Sequence, residues 1–148
     1  MRALLQRASR AEVRVGGYAV GRIGAGLVVL LGVGPDDDEP TADALARRTA
    51  ELRIFRDGEG RTNRSLLEIR GAALVVSQFT LFADTSRGRR PGFTGAAPAD
   101  LAERLYERYA AALQALDIEV ATGRFGAEME VELVNDGPFT IWLDSARS

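Results

Sequence analysis

The stretch from residue 72 to residue 82 reads Ala72-Ala73-Leu74-Val75-Val76-Ser77-Gln78-Phe79-Thr80-Leu81-Phe82. Its first five residues are all apolar, which is the pattern of a β-strand covered on both faces. Three hydrogen-bonding side chains then follow within four positions, at Ser77, Gln78 and Thr80. Polar groups at the end of a buried strand need partners, which either a ligand or a self-contained turn could supply. The stretch therefore predicts a central strand with a candidate binding site at its end.

A second unusual stretch, Asn135-Asp136-Gly137-Pro138, lies between two predicted strands near the C-terminus. Asn-Asp-Gly is typical of a hairpin turn. Gly-Pro is unusual at this point, because proline has no N–H with which to pair the strand that follows. Since a cis peptide bond is accessible mainly before proline, the dipeptide could present two carbonyl groups side by side. The residues alone leave both interpretations open.

The composition restricts the chemistry. The 148 residues suffice for one sizeable core, and we expect a single domain over residues 1–148. The chain contains no Cys, no His and no Lys, which excludes disulfides, thiol nucleophiles, Ser-His-Asp triads and Schiff bases. Any reaction must use hydroxyls, carboxylates, arginines, backbone amides or groups of the substrate. The net charge of −2 argues against a general nucleic-acid coat protein but allows a local arginine patch.

The hydropathy pattern predicts a cytoplasmic protein. The longest apolar run, residues 27–33, is far too short to cross a bilayer. The segment before Arg7 is only six residues long, and Arg10 follows soon after, which does not fit a signal peptide.

The pattern of strands, hairpins and two well-separated helices predicts the α/β class, as a three-layer α/β/β single domain with mixed sheets. Apolar stripes of helical period predict the two main helices at about residues 41–52 and 98–116. Alternating or continuous apolar runs predict strands at 3–6, 11–15, 18–23, 27–33, 53–56, 62–67, 72–77, 118–121, 129–134 and 139–143.

Two charged segments have alternative interpretations. The acidic run at residues 36–40 could resemble a metal site, but acidic residues followed by Pro are typical of a helix N-terminus, which we favour. Residues 84–95 lack periodicity and include Arg87, Arg89 and Arg90. They could form a solvated surface loop, or they could bind phosphates through guanidinium groups and backbone amides.

Ser77-Gln78-Phe79-Thr80 and Asn135-Asp136-Gly137-Pro138, in this order, resemble the paired signature of the D-aminoacyl-tRNA deacylases, also called D-tyrosyl-tRNA deacylases. The resemblance covers nearly the whole chain and includes Gln6-Arg7, residues 23–27, Arg90-Pro91 and residues 122–125. Two departures are visible: Phe139 stands where the family usually has Val, and Gly92 stands where Ser is common.

The resemblance implies a homodimeric enzyme that hydrolyses the ester between a D-amino acid and the 3′ adenosine of tRNA. It implies no metal or organic cofactor and no membrane or DNA partner. The site is expected at the dimer interface, with Ser77 to Thr80 from one subunit and Gly137-Pro138, joined by a cis bond, from the other. Arg7 matches the residue that packs against this dipeptide and holds its orientation.

Further roles follow from the same resemblance. Phe125 and Met129 match positions that sandwich the terminal adenine, and Ala102 matches a small residue that keeps the pocket open. The candidates for tRNA phosphate contacts are Arg87, Arg89 and Arg90.

This family assignment also suggests a mechanism. Main-chain carbonyls facing the α-carbon would exclude an L-substituent and let any D side chain project outward, so achiral glycine should also pass. Thr80 could be a nucleophile, but no His is present to activate it, and we favour a positioning role. The amides of Phe79 and Thr80 would form an oxyanion hole worth roughly 3 kcal/mol per donor, and the ribose 2′-hydroxyl would activate water.

Three other functions remain to be compared with this one. An editing module could remove a mischarged L-amino acid, although the free-standing length and Gly137-Pro138 count against it. A non-catalytic RNA-binding domain could use the three loop arginines for phosphates. A purely structural dimer would not require polar residues at the end of a buried strand.

Overall fold

The computed structural model describes residues 1–147, so Ser148, the last residue of the expected domain, lies outside the described part. The chain forms a mixed α/β fold with one six-stranded sheet, a two-stranded hairpin and three helices. In chain order the elements are β1 (Arg2–Val15), β2 (Tyr18–Ile23), β3 (Gly26–Gly32), α1 (Glu39–Glu51), β4 (Phe55–Arg56), β5 (Thr62–Arg64), α2 (Leu66–Ile69), β6 (Ala72–Ser77), a 3-10 turn (Phe79–Phe82), α3 (Ala99–Gln114), β7 (Glu119–Thr122) and β8 (Glu130–Asp144).

The large sheet has the order β2-β1-β3-β6-β7, and β8 pairs with the other edge of β1. Strands β3, β6 and β7 run parallel to one another, and the remaining pairs are antiparallel. The sheet is therefore mixed, as predicted.

Strand β6 is covered on both faces, as its continuous apolar sequence predicted. Ala73 and Val75 belong to the core that faces α1 and α3. Leu74 and Val76 belong to a second core on the opposite face, built with residues of β1, β2 and β8. These two cores support the expected three-layer arrangement, which stays a prediction.

Helix α1 begins where the acidic run predicted a helix N-terminus. The Asp38 carboxylate accepts hydrogen bonds from the Thr41 amide at 2.9 Å and the Thr41 hydroxyl at 2.6 Å, which caps the first turn. Asp37 accepts a hydrogen bond from the Gly34 amide. No cluster of three or more metal-ligating side chains is present in the described residues. None of the helices between residues 1 and 147 has the length and hydropathy needed to cross a membrane.

The strand predictions were wrong at both ends of the chain. The strands expected at 3–6 and 11–15 are one continuous strand, β1, because β8 pairs along almost its whole length. For the same reason, the strands expected at 129–134 and 139–143 are one strand, β8, and residues 135–138 are not a hairpin turn. The strand expected at 62–67 ends at Arg64, where Ser65 caps the short helix α2 through the Glu68 amide.

Candidate functional site

A cleft of about 530 Å³ opens at the carboxyl end of the central strand β6. Its walls come from β6, the following turn, α3, the segment after β7 and the start of β8. The structure brings six of the predicted site residues to this cleft: Ser77, Gln78, Phe79, Ala102, Phe125 and Met129. The other lining residues are Val76, Phe93, Ala96, Ala97, Ala99, Gly126, Ala127 and Val131.

The strand-to-turn junction leaves two backbone amides free, that of Phe79, which lines the cleft, and that of Thr80, which follows it but is not among the lining residues. Gln78 continues the sheet, because its amide donates to the Leu31 carbonyl at 2.8 Å. Phe79 and Thr80 then open the 3-10 turn, and neither of their amides has a recorded acceptor within residues 1–147. This is expected, because the first amides of a helical turn have no partner inside it. Thr80 is exposed, and its hydroxyl accepts a hydrogen bond from the Gln78 side chain.

The opposite wall is held in place by long-range contacts. The Phe125 ring lies 6.0 Å from the Tyr106 ring, measured between centroids, and the Tyr106 hydroxyl donates to the Val75 carbonyl at 3.2 Å. Burial raises the pKa of Tyr106, so its hydroxyl stays a neutral donor. The Met129 sulfur accepts a hydrogen bond from the Arg124 amide at 3.4 Å. Two of the predicted adenine-contacting side chains are therefore fixed at one wall.

The segment with Arg87, Arg89 and Arg90 is an exposed loop beside the cleft. Its base is closed by a two-way backbone pair between Asp84 and Gly92, with N···O distances of 2.7 and 2.9 Å. None of the ion pairs found in the described residues uses these three arginines. The loop therefore carries three cations without a carboxylate partner in that part of the chain.

The Gly137-Pro138 peptide bond is cis, and both residues are exposed in a bulge of β8. Gln6 pairs with Thr140 and Ala8 pairs with Asn135, so residues 136–139 all lie opposite Arg7. The Asn135 side-chain amide closes the base of the bulge by donating to the Phe139 carbonyl at 3.0 Å. We refer to residues 136–139 as the Gly-Pro loop.

Arg7 is only 4% exposed and lies under the Gly-Pro loop. Its Nε donates to the Asp136 carbonyl at 3.0 Å, and its Nη1 donates to the Ile54 carbonyl at 2.7 Å. The guanidinium carbon lies 4.7 Å from the centroid of the Phe139 ring. Burial lowers the pKa of Arg7 from its high ordinary value, and Asp136 opposes that shift.

The structure does not bring the Gly-Pro loop to the cleft of the same chain. Ser77 of β6 is in register with Leu31 of β3, which pairs with Ala3 of β1. The loop lies in β8, on the other edge of β1, and is level with Arg7. At about 3.3 Å per residue and about 4.8 Å per strand, four residues along and three strands across separate the two motifs by roughly 20 Å.

Two residues of this region were missed by the sequence analysis. Phe93 lines the cleft and contacts Phe79, although only its place as the single aromatic in an arginine-rich loop could have suggested it. Arg56 binds the carboxylate of Asp136. No local signal could have revealed that contact, because the two residues are 80 positions apart.

Comparison with known proteins adds the last observation. The sequence model of a family described as D-Tyr-tRNA(Tyr) deacylase matches residues 4–144. The chain is 61% identical over 144 residues to the D-aminoacyl-tRNA deacylase of Dinoroseobacter shibae, covering 97% of this chain and 99% of the relative. It is also 61% identical over 146 residues to the D-aminoacyl-tRNA deacylase of Roseiflexus sp., covering 99% of this chain and 94% of the relative.

Two solved structures share the fold. One, named c-Myc DNA Unwinding Element Binding Protein, superposes with a TM-score of 0.91 at 36% identity, covering 97% of this chain and 98% of that one. The other is described as a probable eukaryotic D-amino acid tRNA deacylase and has a TM-score of 0.83 at 20% identity, covering 96% and 97% of the two chains.

Proposed function

The chain belongs to the D-Tyr-tRNA(Tyr) deacylase family, and we propose that it hydrolyses the ester bond of D-aminoacyl-tRNA in the cytoplasm. In this reaction water adds to the ester carbonyl, the bond to the ribose oxygen breaks, and a free D-amino acid and tRNA leave. The observation that carries the proposal is the cleft. It gathers the polar end of β6 and the side chains at Ala102, Phe125 and Met129, which come from distant parts of the sequence.

Catalysis is proposed to depend on the two free amides at the start of the 3-10 turn. When water attacks the ester carbonyl, negative charge develops on its oxygen, and donors already aimed at that position stabilise it. Within residues 1–147 the amides of Phe79 and Thr80 donate to no backbone acceptor, and they could serve as those donors. The chain has no His or Cys. We therefore assign activation of the water to the 2′-hydroxyl of the substrate's own ribose, with Thr80 as a positioning residue.

Adenosine binding is assigned to the wall opposite these amides. Phe125 supplies an aromatic face, and Met129 supplies a polarisable sulfur, which packs well against π-systems. Ala102 is nearly buried at this wall, and its small side chain leaves the space open. The three arginines of the neighbouring loop are assigned to tRNA phosphates, since guanidinium groups pair well with phosphate oxygens.

Selection against L-amino acids is assigned to the Gly-Pro loop of a second copy of the chain. The loop lies roughly 20 Å from Ser77 of its own chain and does not line the cleft, so one chain alone cannot use both. A two-fold axis midway between the motifs would exchange them, placing each loop at the partner's cleft. In the sheet the midpoint falls between β1 and β3, near Leu5 and Val29. The neighbouring side chains of Leu4, Gln6 and Leu30 lie on the opposite face from these two and are half-buried.

This sheet face also has the composition of an interface. Trp142, which pairs with Leu4 on this face, is 47% exposed, and Phe79, in the turn at the cleft, is 55% exposed. Exposed aromatic side chains of this kind are enriched at interfaces between proteins. We therefore propose a homodimer in which carbonyl groups of the partner's Gly-Pro loop face the substrate α-carbon. An L side chain would meet these carbonyls, while a D side chain or the hydrogen of glycine would not.

One hydrolysis assay separates the candidate functions. The protein is incubated with tRNA charged with D-tyrosine, L-tyrosine or glycine, and the remaining ester is measured over time. We expect rapid loss of the D-ester, slow loss of the glycyl ester and an intact L-ester. Loss of the L-ester would instead indicate an editing module. Binding that leaves all three esters intact and weakens steeply with salt would indicate a nucleic-acid-binding protein. A parallel binding measurement with duplex DNA tests the DNA binding for which the solved relative at 36% identity is named.

A further inference from the structure

The Asp136 carboxylate, next to Gly137, is held by a side chain to which no role has been assigned. Nη1 of Arg56 lies 2.9 Å from Oδ2 and 3.2 Å from Oδ1 of Asp136, and Nη2 lies 3.2 Å from Oδ1. This is a forked pairing, which fixes direction as well as distance. We propose that Arg56 is a positioning residue for stereoselection, which it supports by fixing the orientation of the Gly-Pro loop; this inference rests on the function proposed above.

The element that carries Arg56 is itself rigidly built. Arg56 is the last residue of β4 in the small β4-β5 hairpin. The following carboxylate, that of Asp57, accepts hydrogen bonds from the amides of Glu59 and Arg61 at 2.9 Å each and from the Asn63 side chain at 3.2 Å. These bonds explain why the pKa of Asp57 is lowered. Arg56 therefore extends from a turn whose shape is fixed independently of the Gly-Pro loop.

The same hairpin region also holds Arg7. The Ile54 carbonyl, two residues before Arg56, accepts the 2.7 Å hydrogen bond from Nη1 of Arg7. Arg7 in turn holds the main-chain carbonyl of Asp136, while Arg56 holds its side chain. Asp136, at the start of the loop, is therefore bound by two guanidinium groups, through its carbonyl and through its carboxylate. One of these groups belongs to Arg56, and the other, that of Arg7, is itself bound to the Ile54 carbonyl.

The charges make the contacts of Arg7 and Arg56 with Asp136 depend on each other. Both guanidinium groups lie within 4 Å of the Asp136 carboxylate, so the two cations are close to each other. Burial is the main cause of the lowered pKa of Arg7, and repulsion by Arg56 adds to it. Asp136 is an anion contacting both, because its Oδ2 lies 3.6 Å from Nε of Arg7 and 2.9 Å from Nη1 of Arg56. Arg56 is the main cause of the lowered pKa of Asp136, so the carboxylate is ionised throughout the neutral range. Loss of Arg56 leaves Asp136 paired to Arg7 alone and free to rotate away from the hairpin.

The exposure of the pair predicts an effect on selectivity rather than on folding. The Arg56 side chain is 49% exposed and that of Asp136 is 38% exposed. Ion pairs this accessible to water contribute little to stability. A stereoselective filter, in contrast, is sensitive to displacements of about 1 Å. Removal of Arg56 should therefore loosen the loop in a folded protein.

The test compares Arg56→Gln and Arg56→Lys with a matched control, Arg61→Gln, in the full-length protein. Arg61 lies in the same hairpin, and its ion pair is with Glu59 at 3.3 Å, away from the loop. The readout is the ratio of kcat/KM for D-tyrosyl-tRNA to kcat/KM for L-tyrosyl-tRNA, together with Tm. We expect Arg56→Gln to lower this ratio by about tenfold or more, Arg56→Lys to lower it less because it keeps the charge, and Arg61→Gln to leave it unchanged.

An unchanged ratio in folded Arg56→Gln would overturn the inference, as would an equal fall in the Arg61→Gln control. If Arg56→Gln fails to fold, the role is structural and the inference is wrong unless folded Arg56→Lys shows a lowered ratio at unchanged Tm. The proposed function fails differently, since the wild-type protein would then show no preference for the D-ester at all.

Discussion

The ring of Phe93 meets the ring of Phe79 edge-on, with centroids 5.0 Å apart and an interplanar angle of 73°. Such edge-to-face pairs are a favourable arrangement of aromatic rings. The contact joins the end of the arginine loop to the turn whose amides are proposed to stabilise the oxyanion. If the proposed roles of the loop and the turn are right, this pair of side chains would connect the phosphate-binding segment with the segment that places the ester carbonyl.

Replacing Arg87, Arg89 and Arg90 together by Gln should raise KM for D-tyrosyl-tRNA and leave kcat nearly unchanged. If all three contact phosphates, the slope of log KM against log salt should fall by roughly two, since each phosphate contact on a single strand contributes about 0.7. Steady-state kinetics from low to moderate salt measure this slope. D-tyrosyl-adenosine has no phosphate and is the control: its hydrolysis should not change, and an equal loss with that ester would contradict the assignment.

Gly123→Ala should disturb the adenosine wall without unfolding the protein. A β-carbon at this position would lie 2.7 Å from the Met129 sulfur, so the flexible Met side chain must move. We expect a several-fold rise in KM and a loss of about 1 kcal/mol of unfolding free energy, because the flexible Met side chain can move aside. Kinetics with D-tyrosyl-tRNA and chemical denaturation measure the two effects. Gly24→Ala is the matched control, because nothing lies within 4 Å of a β-carbon there.

Gly137→Ala should abolish stereoselection. Gly137 has φ +133°, and a β-carbon would lie 2.8 Å from Nη2 of Arg7 and 3.1 Å from the Phe139 nitrogen. The loop must therefore shift away from buried Arg7. Gly60→Ala is the control, because Gly60 also has a positive φ, of +77°, but no atom lies within 4 Å of a β-carbon there. It measures the cost of backbone strain alone, which is of order 1–3 kcal/mol. We expect the D/L ratio to fall only in Gly137→Ala; a normal ratio in that variant would contradict the placement of the filter.

Thr80→Ala should keep activity within about tenfold of the wild type, because a positioning hydroxyl contributes less than a nucleophile. Single-turnover kinetics measure the loss, and mass spectrometry of quenched wild-type reactions searches for an acylated protein. Thr85→Ala, in the adjacent exposed loop, controls for nonspecific effects. An acyl group trapped on Thr80 would show that the hydroxyl is the nucleophile after all.

Local sequence patterns were sufficient where local interactions determine the structure. The continuous apolar run predicted that β6 is covered on both faces, and the acidic run predicted the start of α1, which Asp38 caps. The break expected between residues 6 and 11 was wrong because β8 pairs along this part of β1, as at Ala8 and Arg10. That pairing joins residues more than 120 positions apart, and no nearby residue encodes it.

The same distinction applies to the candidate site. Six residues predicted from the motifs and the family resemblance line the cleft at the end of β6, whereas Thr80 and the Gly-Pro loop do not, and the roles of all of them stay predictions. The contacts that hold the site, such as Arg56 with Asp136 or Tyr106 with Val75, join distant segments and depend on the completed fold. They could be found only after the sheet order was known.

Because the cleft and the Gly-Pro loop of one chain lie apart, two variant chains with different defects should complement each other. A chain with Gly137→Ala keeps a normal cleft, whereas a chain with Ala102→Leu has a filled cleft and keeps a normal loop. If pairing exchanges the two parts, a mixed pair contains one undamaged centre out of two. Remixing the unselective Gly137→Ala chain with the inactive Ala102→Leu chain would then give a D-selective centre at on the order of a quarter of all centres. Complementation of this kind is open only to chains that complete each other.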